Sequence, residues 1–233
     1  VDWQFRNEKG ISTSYMRNEE MSMYDWDYAI ITNRYIPVNK LTEGSWPPSG
    51  TIHTIYADSV PICAVVERKT KADYHGYMAL EEGNLQEAVE LFRSAIMVND
   101  EDEMIFYNFA RALYSSGFVQ EADSVLKEGL KLNPDFEPAL MYLGNIAAFR
   151  QQFDLALDYY SRLIRVNSKY FQAYVESAKI MLAGNIDGAR GLLRRCLAIN
   201  PGYKPALILL ADSYRETDPE LARRYDEILK TIE

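Results

Sequence analysis

From Lys69 onward the apolar positions fall at helical spacing, and the whole arrangement then repeats. Ala88, Ala122, Ala156 and Ala189 recur at spacings of 34, 34 and 33 residues. Each sits in its own copy of one pattern. The first copy sets Gly76, Gly83, Ala88, Phe92 and Ala95 at fixed offsets, and the second sets Ala110, Gly117, Ala122, Leu126, Gly129 and Pro134. Gly144, Gln151, Ala156, Tyr160, Leu163 and Ser168 come in the third, and Gly184, Ala189, Leu193, Cys196 and Pro201 in a fourth that is one residue shorter. A fifth unit opens at Lys204 with Leu207, Leu210, Ala211 and Tyr214 and closes with a helix around Leu221 to Ile232. A fixed period in the low thirties predicts a stack of near-identical helix pairs.

The residue types explain the period. A small residue in mid-helix (Gly76, Ala110, Gly144) lets the second helix of a pair approach closely, and the recurring alanine does the same from the other side. Phe92, Leu126, Tyr160 and Leu193 stand four positions after each alanine, on the same face one turn later. They are expected to fill the space between neighbouring repeats. Gly83, Gly117 and Gly184 supply a permissive backbone for the turn inside each pair. Pro134 and Pro201 end the second helix. Asp100 and Ser168 replace that proline in two copies, so those junctions are expected to turn differently. The last helix carries Glu220, Arg223, Arg224, Asp226, Glu227 and Lys230 among its apolar positions, which suits a terminal cap with one solvated side.

Residues 1–68 obey another grammar. Tyr28 to Thr32 is a short, β-branched apolar run that reads as a buried strand. Thr51 to Tyr56, then Ala57-Asp58-Ser59, then Val60 to Val66 reads as a hairpin with a polar turn. Between them Gly44 to Gly50, with two prolines and two glycines, is a loop. A small α/β unit of two or three strands and one short helix is expected there. Being marginal alone, it is expected to pack against the helical region.

The repeat segment, residues 69–233, resembles a tetratricopeptide repeat array. The resemblance implies a mainly α fold: a right-handed α-solenoid of about five helix pairs (69–102, 103–136, 137–170, 171–203 and 204–233) behind the small α/β unit with its β-hairpin. It also implies that the first helices line a concave groove holding a protein or peptide partner. Carried onto this sequence, the groove positions are Tyr74, Tyr77, Tyr107, Asn108, Arg111, Tyr114, Met141, Tyr142, Asn145, Phe149, Lys179 and Arg215. Tyrosine and arginine commonly anchor interfaces, since a rigid amphipathic ring buries area at small entropic cost. Asn108 and Asn145 suit an extended peptide backbone, and Arg111 and Lys179 suit a carboxylate. An aromatic stripe at helical spacing is equally the mark of packing. The dicarboxylate clamp that recognises chaperone tails is matched only in part, because Asp73 and Tyr77 stand where basic or amide groups are wanted. No chaperone-tail binding is expected.

Charge and composition narrow the function. A net charge of -9 argues against nucleic acid, which needs a basic stripe, and against broad contact with anionic lipid. No 18-residue apolar stretch crosses a membrane. His53 and His75 lack a partner at metal spacing, and no phosphate loop, nucleophile elbow or HExxH occurs, so neither enzyme activity, cofactor nor metal is expected. Glu81-Glu82 and Asp100 to Glu103 read as solvated faces or turns, and the negative charge of the latter suits the start of the following helix. Cys63 and Cys196 read as buried thiols; a disulfide between them is also compatible with the sequence.

Val1 opens the chain with neither methionine nor leader, which predicts excision from a longer parent. A second reading comes from Asp25 to Ile36, Trp46-Pro47-Pro48 and Thr51 to Ile55, which are similar to soluble tails of bacterial polyprenyl-sugar glycosyltransferases. It implies an extracytoplasmic appendage tethered to a membrane enzyme whose catalytic part lies elsewhere. In a third reading the fifth unit or a strand edge builds a homo-oligomer.

Overall fold

The architecture is that of a computed structural model, which describes residues 27–32, 51–57 and 60–232. Three strands come first: β1 (Tyr28–Thr32), β2 (Thr51–Ala57) and β3 (Val60–Glu67). They form one antiparallel sheet in the order β1-β3-β2, with Ile30 opposite Val65 and Ile55 opposite Cys63. The register of β2 slips between Thr51 and His53 and again between Ile55 and Tyr56. The expected loop at 44–50, the polar-turn residues Asp58 and Ser59 and the expected short helix lie outside the described residues.

The run Tyr28 to Thr32 departs from expectation, because it is not a wholly buried strand: Tyr28 is 58 % and Ile30 64 % exposed. Among the described residues β1 is an edge strand that pairs with β3 alone. In β3, Ala64 and Val66 are buried. An apolar run cannot reveal that its two faces meet different surroundings.

Ten described helices come next. They are α1 (Ala72–Glu81) paired with α2 (Leu85–Val98), then α3 (Glu103–Ser115), then α4 (Val119–Leu132), and α5 (Glu137–Phe149) paired with α6 (Phe153–Val166). After these come α7 (Phe171–Met181) with α8 (Ile186–Ile199), and α9 (Lys204–Tyr214) with α10 (Pro219–Ile232). By compactness the chain divides into Val1–Phe118 and Val119–Glu233. The first unit holds the sheet and α1 to α3, the second α4 to α10.

The first helices of three pairs end in a hydrogen-bonded turn that the sequence only partly foretells. At the end of α1, Asn84 N–H donates to Ala79 C=O and Gly83 N–H to Leu80 C=O. The same two bonds recur after α3, through Phe118 and Gly117, and after α5, through Gln152 and Gln151. This cap needs a left-handed residue at its apex. Gly83 (φ 82°) and Gly117 (φ 86°) adopt that conformation freely, whereas Gln151 is forced into it at φ 60°. Gly184 does not behave like the other two glycines. Here α7 has 11 residues against 13 for α3 and α5, and Asn185 N–H returns to Met181 C=O at 2.6 Å.

Close approach within the pairs rests on glycine facing a ring. A methyl group added at Gly76 would lie 3.2 Å from the Phe92 ring, and one at Gly144 would overlap the Tyr160 ring. Phe92 and Tyr160 thus fill space inside their own pairs, not only the gaps between repeats that the spacing suggested. Ala88, Ala122, Ala156 and Ala189 are all fully buried, and a fifth, Ala222, is 3 % exposed at the next step of 33 residues. The residue four positions after it is Asp226, where the inner copies have buried Phe92, Leu126, Tyr160 and Leu193.

The ends of the second helices share a second period. Asn99, Asn167 and Asn200 are extended C-cap residues with φ between -139° and -131°. In the latter two, and at Asn133, the carboxamide oxygen accepts the backbone N–H two residues on. Such a side-chain turn reverses the chain without proline. It explains why the Ser168 junction turns as the Pro134 and Pro201 junctions do. The Asp100 junction bends without such a turn.

Both cysteines are free thiols, Cys63 half-buried and Cys196 buried. Among the described residues no helix is long and apolar enough to cross a membrane.

Candidate protein-interaction surface

In the first unit α1 and α3 present tyrosines at spacings that share one helix face: Tyr74 and Tyr77 on α1, Tyr107 and Tyr114 on α3. All four are half-buried. The Tyr74 ring lies against His75 at 5.2 Å and under the Arg68 guanidinium at 5.9 Å. Tyr107 lies under Arg111 at 5.9 Å, and burial pushes its phenol above the ordinary range against the pull of that cation.

Arg111 is already engaged. Its guanidinium donates to Asn108 Oδ1 at 3.1 Å and to Glu81 Oε1 at 3.1 Å. Asn108 is 1 % exposed, so it reaches this surface only through the arginine that it anchors. Glu81, which reads from sequence as a merely solvated carboxylate, bridges α1 to α3. Nothing in a linear pattern announces such a pair, because the partners are 30 residues apart.

The acidic cluster before α3 is also more specific than a solvated turn. Asp102 caps α3 by accepting the Met104 N–H at 2.9 Å. Burial pushes its carboxyl up to about 6, helped by Glu103 and Asp73 and opposed by the backbone bond from Met104. Asp73 is itself buried and held by Arg68 at 2.7 Å.

In the second unit the candidate residues divide. Met141 is buried at 6 % exposure and belongs to the packing. Tyr142 is half-buried, while Asn145, Phe149, Lys179 and Arg215 are exposed, Phe149 at 70 %. Asn145 Oδ1 accepts the Tyr160 hydroxyl at 2.8 Å. Burial and the Glu176 carboxylate both raise that phenol and keep its proton in place. Lys179 pairs with Glu176 at 2.9 Å, and Arg215 with Asp212 at 2.8 Å and Asp226 at 3.1 Å. Each of the three candidate cations, Arg111 included, already has a carboxylate of this chain.

A buried arginine lies outside the predicted set. Arg190 of α8 stacks 3.8 Å over the Tyr214 ring and donates to Ser213 Oγ, the Ser213 carbonyl and Thr217 Oγ1. It thereby satisfies the end of α9, whose last carbonyls lack helical partners. Its position beside Ala189 was the available signal. Among the described residues no group of histidine, cysteine and carboxylate is placed to hold a metal ion.

A family model described as a tetratricopeptide repeat matches residues 79–146. The chain carries tetratricopeptide repeats over that span. The chain is 28 % identical over 134 residues to the BBSome complex member BBS4 of Mus musculus, covering 57 % of this chain and 26 % of BBS4. It therefore spans about a quarter of that relative. Among solved structures it resembles MamA from Desulfovibrio magneticus RS-1, with a TM-score of 0.60, 18 % identity and 68 % and 92 % of the two chains covered. It also resembles YrrB, described as a tetratricopeptide repeat protein with an unusual peptide-binding site. That match has a TM-score of 0.58, 16 % identity and coverage of 71 % and 87 %. At these identities the likeness is one of fold.

Proposed function

We propose that the chain is a non-enzymatic scaffold whose first-helix surface holds a peptide or another protein. The observation that carries this reading is the tyrosine-rich face of α1 and α3, where Tyr74, Tyr77, Tyr107 and Tyr114 are each half-buried. A ring fixed by packing on one side and open on the other contributes contact area without further ordering. The peptide-binding site named for YrrB supports the reading by likeness of fold. Asn108 and Met141 serve from behind, by anchoring and by packing.

The test replaces Tyr107 and Arg111 with alanine together and compares proteins captured from a native lysate. The helical signal of the double variant must match that of the parent. Loss of captured partners is expected. Unchanged capture by a folded double variant overturns the assignment of this face.

A further inference from the structure

We infer that the segment taken by the α1–α3 surface is basic, a peptide stretch bearing lysine or arginine; this rests on the scaffold reading above. That surface and a basic occupant are complementary in charge. Residues 68–118 contain nine carboxylates against five basic side chains. Four of those five are already bridged: Arg68 to Asp73, Lys69 to Glu101, Lys71 to Asp27 and Arg111 to Glu81. The fifth, Arg93, is exposed on α2, outside the tyrosine face.

Arg111 is the cation that a carboxylate ligand would seek, and it is held by Glu81, by Asn108 and against the Tyr107 ring. An acidic ligand must displace Glu81 and then lie beside the carboxylate it has displaced, a like-charge contact that opposes binding. A basic ligand meets neither obstacle. The aliphatic stem of its lysine or arginine can lie along half-buried Tyr77, with the cation over that ring. Glu81 stands one turn beyond Tyr77 on the same side of α1. Its side chain is 47 % exposed, so its carboxylate can accept from a ligand cation while still facing Arg111.

The experiment uses the full chain, labelled with ¹⁵N, and two capped octapeptides at 0.15 M salt: alternating lysine and serine, and alternating glutamate and serine. The lysine peptide is expected to shift the amide signals of residues 74–81 and 103–114 and to weaken at least tenfold when salt is raised to 0.5 M. Glu81→Gln should weaken the lysine peptide and, by releasing Arg111, strengthen the glutamate peptide. Glu87→Gln with Glu90→Gln, exposed on α2, should leave both unchanged. Shifts centred on α2, a preference for the glutamate peptide in the parent, or no binding of either peptide would each overturn the basic-segment inference. None of these outcomes touches the lysate experiment, which decides the scaffold reading separately.

Discussion

Gln151 shows how much the turn geometry asks of a single residue. Its counterparts in the series, Gly83 and Gly117, reach the left-handed region without a side chain, while Gln151 holds the same place at φ 60°. Gln151→Gly should therefore stabilise the protein by about 1 kcal/mol, the usual cost of a non-glycine residue there less the entropy glycine loses on folding. A urea titration measures it, and a loss of stability would mean that the Gln151 side chain makes a compensating contact. Asp102 offers a second test. Its carboxyl titrates at about 6 in the folded protein against an ordinary 3.8, so the folded state binds a proton more readily than the unfolded one. Stability from this group grows as pH falls from above 6 towards 4 and is lost on the way back. Asp102→Asn keeps the cap but cannot titrate. The stability of the parent relative to this variant should fall by about 2 kcal/mol between pH 4 and pH 7. A constant difference across that range would show that the carboxyl titrates normally.

At the scale of an element, the closest fit is that of α5 against α6. A methyl group on Gly144 would overlap the Tyr160 ring, so Gly144→Ala should cost about 2–3 kcal/mol as the helices are forced apart. The second copy carries Ala110 and Leu126 at the corresponding offsets, where a slightly larger small residue meets a smaller, ring-free partner. Adding Tyr160→Leu to Gly144→Ala should then recover much of the loss in thermal melts. Failure to recover would mean that the pair is set by the Tyr160–Asn145 hydrogen bond, which the double variant also removes, more than by volume. The spacing showed that these positions matter, since Gly144 and Tyr160 stand out in the period. It did not show that they face one another, because a one-dimensional pattern assigns residues to faces without saying which faces meet.

For the molecule as a whole, the sequence made the helical architecture legible and the interaction surface much less so. Alternation between small and large residues arises from packing that every copy must satisfy, so it is written several times over. Arg111–Glu81 and Arg190–Thr217 occur once each, between residues 30 and 27 apart, and no repetition advertises them. The exposure of Tyr28 and Ile30 escaped for a related reason, as burial in a strand depends on which neighbour covers each face. In an array stabilised by nearest-neighbour contacts, damage should also stay local. Phe92→Asp places a charge at a fully buried position and should remove about 4 kcal/mol or more from its surroundings. Hydrogen exchange should report lost protection in α1 and α2 while amides of α7 to α9 keep theirs. Uniform loss along the chain would show a single cooperative unit instead.

Asp226 occupies the one rung where the ladder of buried side chains is not continued. Helix starts at Glu103, Glu137, Phe171 and Lys204 are separated by 34, 34 and 33 residues. A duplication of one such stretch inside the array would therefore add a unit whose contacts already exist on both sides. An array with this period can thus grow from within by one repeat length at a time.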